Sequence, residues 1–225
     1  LTTGEIRNAI NMPSLDAAAL KELGPYLDLS RALGKMLAKL GPSNADSLRV
    51  SYHGPLAEKD TSLVARTALT AILEVGCNEG QVNIVNAPAM AQKMGLDLVE
   101  STINAVTEFS ELLVAELTKG DIRFRLAGTI IGRSPRIVEI NHHYVDTNIS
   151  GHFLIVHNDD RPGIVGAVGT ALGEAQINIA NMSLARNKKK GRALTVIEVD
   201  QALDTEVMET LRSVPGIQSA TGVTM

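Results

Sequence analysis

Tryptophan is absent and the aromatics amount to three phenylalanines and three tyrosines, so any core must be packed from aliphatic side chains. Cysteine occurs once, as Cys77. One thiol makes no internal disulfide and provides no cysteine-rich zinc or iron–sulfur site within a single chain. A reducing cytoplasm is the expected compartment, and Cys77 reads as a small buried apolar residue rather than a nucleophile. No apolar run approaches the roughly 20 residues that span a bilayer, so no membrane partner is expected. Leu1–Arg7 is mixed and polar, unlike a signal peptide. An excess of positive charge is also missing. Lysine and arginine number 21 against 25 acidic residues, which gives no footprint for nucleic acid. An initiator methionine is lacking at position 1, so the chain is expected to be a piece of something longer.

What is present is an aliphatic chain of 225 residues, long enough for two ordinary domains with separate cores. Residues 1–14 read as a remnant closed by Pro13, with Ser14 as a helix N-cap. From Leu15 to Leu40, leucine and methionine recur at three- and four-residue spacing, which predicts an amphipathic helix that Gly41-Pro42 stops. Alternation over 47–53 predicts a half-buried strand, 60–75 a helix, Asn86-Ala87-Pro88 a turn that opens another helix, and 96–103 a strand. Between 109 and 146 the Lys119-Gly120-Asp121 turn and the runs at 122–127, 130–131 and 137–140 predict a β-meander.

Asp146 to Gly151 is short, polar and ends in glycine, and is the expected domain boundary. Beyond it the pattern is strand 152–158, helix 162–174, strand 178–187, strand 192–200, helix 204–213 and strand 216–223. That βαββαβ order is ferredoxin-like, with two helices on one face of a four-stranded antiparallel sheet. The fold class expected for the whole chain is therefore α+β.

The stretch His157–Ile179 is the most informative. Pro162 suits a first helical position, and Asp160 can either cap the helix or accept from a ligand ammonium. The free N–H groups at the helix start suit a carboxylate, so an α-amino acid would find both partners there. An ordinary capped helix start explains the loop alone equally well. Asn178, where the chain enters the next strand, offers a donor and an acceptor, or serves as a turn residue. Lys188-Lys189-Lys190-Gly191 reads as a solvated hairpin tip rather than an anion patch. Gly163, Gly166, Gly169 and Gly173 lack both nucleotide-loop spacings and read as close-packing positions. His142-His143 with Asp146 would point to opposite faces of a strand, so no metal is expected. No nucleophile motif or paired acid and base stands out, and no catalytic residue is assigned.

Specific segments resemble a known family. Gly4–Pro13, Val50-Ser-Tyr-His-Gly-Pro-Leu-Ala-Glu-Lys-Asp60, Val82-Asn-Ile-Val-Asn-Ala-Pro88, Ala127-Gly-Thr-Ile-Ile-Gly132 and Arg136-Ile-Val-Glu-Ile140 resemble the C-terminal regulatory half of long-form D-3-phosphoglycerate dehydrogenases. The resemblance implies an upstream remnant (1–14), an intervening allosteric domain (15–147) and an ACT domain (151–225). It implies L-serine, or a related amino acid, bound between paired ACT domains of a homodimer or homotetramer. Asn158, Asp160 and Asn178 then fall at serine-contacting positions, with backbone N–H groups of Gly163, Ile164 and Val165 nearby, and Arg136 near a candidate anion site. The catalytic half in cis, which uses NAD to oxidise 3-phosphoglycerate, would lie upstream, leaving this chain without a cofactor and inactive alone. Two other expectations stay open: the regulatory part of an iron–sulfur L-serine dehydratase, and a stand-alone amino-acid-binding ACT regulator.

Overall fold

The computed structural model describes residues 17–77, 80–103, 107–187 and 191–225. Two compact units divide the chain, one ending at Ile137 and the other running from Val138 to Met225.

In the first unit the elements are α1 (Ala17–Leu40), β1 (Ser47–His53), a 3-10 turn at Gly54–Glu58, α2 (Ser62–Glu74), α3 (Ala87–Lys93), β2 (Asp97–Thr102), β3 (Leu112–Lys119), β4 (Ile122–Ile131) and the start of β5 (Ser134–Ile140). The leucine spacing of α1 has its packing consequence: Leu29, Leu33, Met36 and Leu37 are fully buried. Full burial of such a side chain contributes about 1.5–3 kcal/mol. Pro25 sits inside α1 without ending it. Gly34 lets α2 approach, since a Cβ there would lie 2.5 Å from the Ala68 carbonyl oxygen.

β1 lies between β2, to which it is parallel (Ser47↔Asp97 to Tyr52↔Thr102), and β3, to which it is antiparallel (Ser47↔Thr118 to His53↔Leu112). β3 and β4 form a hairpin from Leu113↔Gly128 to Lys119↔Ile122. Asp46 fastens its tip, taking the Gly120 N–H and a Lys119 ion pair at 2.7 Å. The meander expected over 109–146 is present, but β4 is one strand through Ile131 where two were expected, because the pairing continues past Leu126. At Gly54 the backbone takes φ +71°, and a Cβ would fall 2.0 Å from the Ser110 carbonyl oxygen. Only glycine fits this turn without strain.

In the second unit β6 (His143–Thr147) precedes β7 (His152–Asp159), α4 (Ile164–Glu174), β8 (Ile179–Asn187), β9 (Arg192–Val199), α5 (Thr205–Ser213) and β10 (Ile217–Thr224). The sheet order is β10-β7-β9-β8 and every neighbouring pair is antiparallel. Leu154, Val156 and Ile197 face Val168 and Leu172 of α4 and Leu211 of α5 in one buried cluster. This is the ferredoxin-like βαββαβ expected, and the chain as a whole is α+β. α5 starts as its sequence promises, with the Asp204 carboxylate accepting the Val207 N–H at 2.9 Å.

α4 does not start as expected. Gly163, not Asp160, is its N-cap, and Gly163 has φ +94°, so the helix begins at Ile164 and Pro162 stays outside it. The expectation for Cys77 also needs correcting: the thiol is half-exposed and lines an apolar cavity of about 220 Å³ with Ile72, Met94 and Leu117. The remnant at 1–14, the Ser14 cap and the Lys188–Lys190 tip lie outside the described residues.

Candidate functional site

The sequence-predicted residues fall into two groups at opposite ends of one sheet. Asn158 and Asp160 lie at the end of β7, where Asn158 pairs with Ala193 at the start of β9. Asn178 directly precedes β8, whose Ile179 pairs with Val199 at the end of β9. The six residue steps along β9 from Ala193 to Val199, at about 3.3 Å each, put roughly 20 Å between the groups. Within one chain they cannot touch one small ligand.

Asn158 is buried, at 2% exposure, because it follows Leu154 and Val156 onto the helix-covered face. Its oxygen accepts from Thr195 Oγ1 at 3.2 Å and its amide donates to the Asp159 carbonyl at 2.8 Å. One further amide N–H is available in principle, since Asn carries two. Asp160 is partly open. Its carboxylate pairs with Arg186 of β8 at 3.2 Å, and its N–H donates to the Gly191 carbonyl. A solvated pair of this kind contributes at most about 1 kcal/mol, so it can exchange partners readily. Asp160 and Arg186 together present an acceptor for an ammonium and a donor for a carboxylate.

Gly163, Ile164 and Val165 form the start of α4. Ile164 is buried in the core while Val165 is exposed at 44%. The first-turn N–H groups of an α-helix have no acceptor within the helix and favour an anion. Arg161 shapes the loop from behind, its guanidinium donating to the Pro215 carbonyl at 2.5 Å. At the far end of the sheet Asn178 is exposed, its amide donating to Asp200 Oδ2 at 2.8 Å. Arg136 sits half-buried on β5 in the first unit.

Sequence reasoning missed Arg186 and Glu198. Arg186 is a strand residue opposite Ala193, and pairing it with Asp160 needed the register of β8 on β9. Glu198 is a carboxylate at 8% exposure on β9. Its Oε1 accepts from Thr147 Oγ1 at 2.7 Å, the Asn148 N–H at 2.9 Å and Asn181 Nδ2 at 3.1 Å, and its Oε2 from Asn148 Nδ2 at 2.6 Å. Burial alone pushes this carboxyl up, but the donors from Asn148, Asn181 and Thr147 outweigh it and hold the group below the usual range. His157 moves down as well, first through burial and then through the neighbouring His143, which favours its neutral form.

His142 lies in a turn at φ +63° beside Glu139, not on a strand with His143 as expected. Among the described residues no group of three or more His, Cys, Asp or Glu is placed to hold a metal, and no helix is long and apolar enough to cross a membrane.

A family model for the D-3-phosphoglycerate dehydrogenase intervening domain matches residues 22–141. The chain belongs to this family. An ACT-domain model follows at residues 152–216, on the ferredoxin-like module that carries Asn158, Asp160 and Asn178. The match of the intervening domain puts the chain with the dehydrogenase family rather than with the serine dehydratases. Among curated proteins, the chain is 33% identical to the D-3-phosphoglycerate dehydrogenase of Archaeoglobus fulgidus, over 97% of this chain and 42% of that protein. It is 29% identical to the enzyme of the same name from Methanocaldococcus jannaschii, over 96% of this chain and 41% of that one. For that of Bacillus subtilis the identity is 27%, over 95% and 41%. The chain thus spans about two fifths of the length of these relatives. The intervening-domain match ends at Asn141 and the ACT match begins at His152, so the strand β6 lies between the two matched segments.

Proposed function

We propose that this chain is the regulatory part of a D-3-phosphoglycerate dehydrogenase and that its ACT domain senses L-serine or a related amino acid. Serine would sit between two copies. The Asp160–Val165 loop of one would receive it, with Asn158 turning its amide outward, and Asn178 of the other would close the site. The oxidation of 3-phosphoglycerate to 3-phosphohydroxypyruvate with NAD would belong to domains outside this chain, which itself holds no cofactor. Binding across two copies makes a homodimer, or a tetramer built from two, the sensing unit. A reducing cytoplasm fits the single free thiol.

The observation that carries this reading is the separation of the two half-sites. Asp160 with the α4 start offers partners for both charged ends of an amino acid, and Asn178 offers an amide, yet one chain holds them at opposite ends of a sheet. A two-fold pairing of sheets places the end of one β7 against the start of the other β8 and completes two equivalent sites. The ligand can shift activity only as far as it binds one state better than the other, typically by about 1–3 kcal/mol.

Calorimetric titration of the chain with L-serine tests this, with glycine, D-serine and 3-phosphoglycerate as comparisons. Saturable binding selective for L-serine is expected. A folded dimer that takes up none of the four overturns the effector reading and leaves the family membership intact.

A further inference from the structure

The bonds around Glu198 connect one half-site to the segment that leads into the ACT domain. Asn178 holds the start of β8 to the end of β9 twice, through its amide to Asp200 Oδ2 at 2.8 Å and through its carbonyl, which accepts the Asp200 N–H at 3.3 Å. Three residues further on, a register shift between Ile179 and Asn181 turns Asn181 toward Glu198. Its amide lies 3.1 Å from both Glu198 Oε1 and the Asp146 carbonyl. Ser183, next on that face, accepts the Asp146 N–H at 3.1 Å. Glu198 completes the arrangement by gathering Thr147 and Asn148.

These donors to the carboxylate are neutral amides and a hydroxyl. Hydrogen bonds to an ionised, sheltered acceptor are roughly twice as strong as neutral ones and directional. Residues 146–148 are the last of β6 and the first of the polar linker. Their only covalent route onward runs through 149–151 into β7. A displacement of the β8 start therefore reaches this segment through Asn181 without passing through the sheet core.

We infer that Asn181 and Glu198 form a clasp that transmits occupancy of the Asn178 half-site to residues 146–148, the link between the ACT domain and the chain before it. Both are positioning residues and neither touches the ligand. The inference rests on the effector reading above. A ligand that fixes Asn178 fixes the β8 start, which holds Asn181 on Glu198 and orders the linker. Without ligand the β8 start is freer and the linker loosens with it.

Hydrogen exchange read on peptides covering 146–150, with and without saturating L-serine, tests the clasp in this chain. In the wild type, serine should slow exchange there by roughly 5- to 150-fold, the range of ordinary coupling energies. N181A should bind serine within about twofold of wild type, as a site sharing no ligand contact, yet lose that protection. E198A should do the same, and E198Q, which keeps an acceptor oxygen, should recover part of it. A purely structural role would shift melting temperature without abolishing the serine-dependent difference. If E198A does not fold, N181A decides. Serine binding by the wild type with no change at 146–150, or protection kept in N181A, overturns the clasp alone. No serine binding by the wild type overturns the effector reading instead.

Discussion

Two sets of glycines, one in each domain, serve opposite ends. In the intervening domain Gly34, Gly54 and Gly128 are places where backbone or side chain comes so close that a Cβ would lie within 2.8 Å of another atom. In the ACT domain Gly166, Gly169 and Gly173 lie along α4, and a Cβ on any of them would meet nothing within 4 Å. The first set fixes helix against helix and turn against strand. The second leaves one side of a helix thin and uncovered, beside the exposed Val165. Gly34, Gly54 and Gly128 serve internal closeness, whereas the three glycines of α4 lie where a second body could approach. The lesson is that the intervening domain is built as a frame and the ACT domain as a surface.

Substitutions can break that contrast. The largest effect is expected for Gly54→Ala, which adds a Cβ 2.0 Å from the Ser110 carbonyl at φ +71°. A loss of about 3 kcal/mol or more in urea unfolding is expected from combined strain and overlap. Next, Asn178→Ala should weaken serine binding by roughly 1.5–3 kcal/mol with little change in melting temperature, since a charged ligand group loses a partner. Unchanged affinity in calorimetry removes Asn178 from the site.

Acid should unfold the ACT domain in two stages. His157 has a lowered folded value, so its unfolded form takes up protons first and stability falls as pH drops below the ordinary 6.5 toward that lower value. Glu198 also has a lowered folded value, so its contribution is present above 4.5 and is lost as pH falls from there through the folded value. Urea melts at successive pH values should show the second stage vanish in E198Q and the first in H157N. The smallest effect is the most pointed. Gly169→Ala should stabilise a lone ACT domain by about 0.4–1 kcal/mol, because nothing obstructs the methyl and the unfolded chain loses freedom. A loss in the associated form, seen by sedimentation, would show that a second copy uses the thin side of α4.

Much of the frame was legible in the sequence. The leucine spacing of α1, the glycine turn at 120 and the βαββαβ order each follow from local rules, and each element appears within a few residues of its expected place. The start of α4 was misplaced because Pro162 suits a first helical position, while the left-handed turn at Gly163 is a property of the fold around it. Asn158 could have been assigned to the buried face, since it continues the alternation of Leu154 and Val156. Glu198 could not have been found in this way. All its donors but Asn181 come from residues about fifty positions upstream, and nothing in Ala193-Leu-Thr-Val-Ile-Glu-Val199 signals them. The half-exposed Cys77 was hidden for the same reason, since its surroundings come from α1, α3 and β3.

The distance between Asp160 and Asn178 has a consequence for how the protein would read its ligand. If each site is completed by two chains, effector uptake and self-association are a single linked equilibrium governed by mass action. The same serine concentration would then fill fewer sites as the protein is diluted. The molecule would report on its own abundance as well as on its ligand, so a cell holding little of the protein would restrain it less.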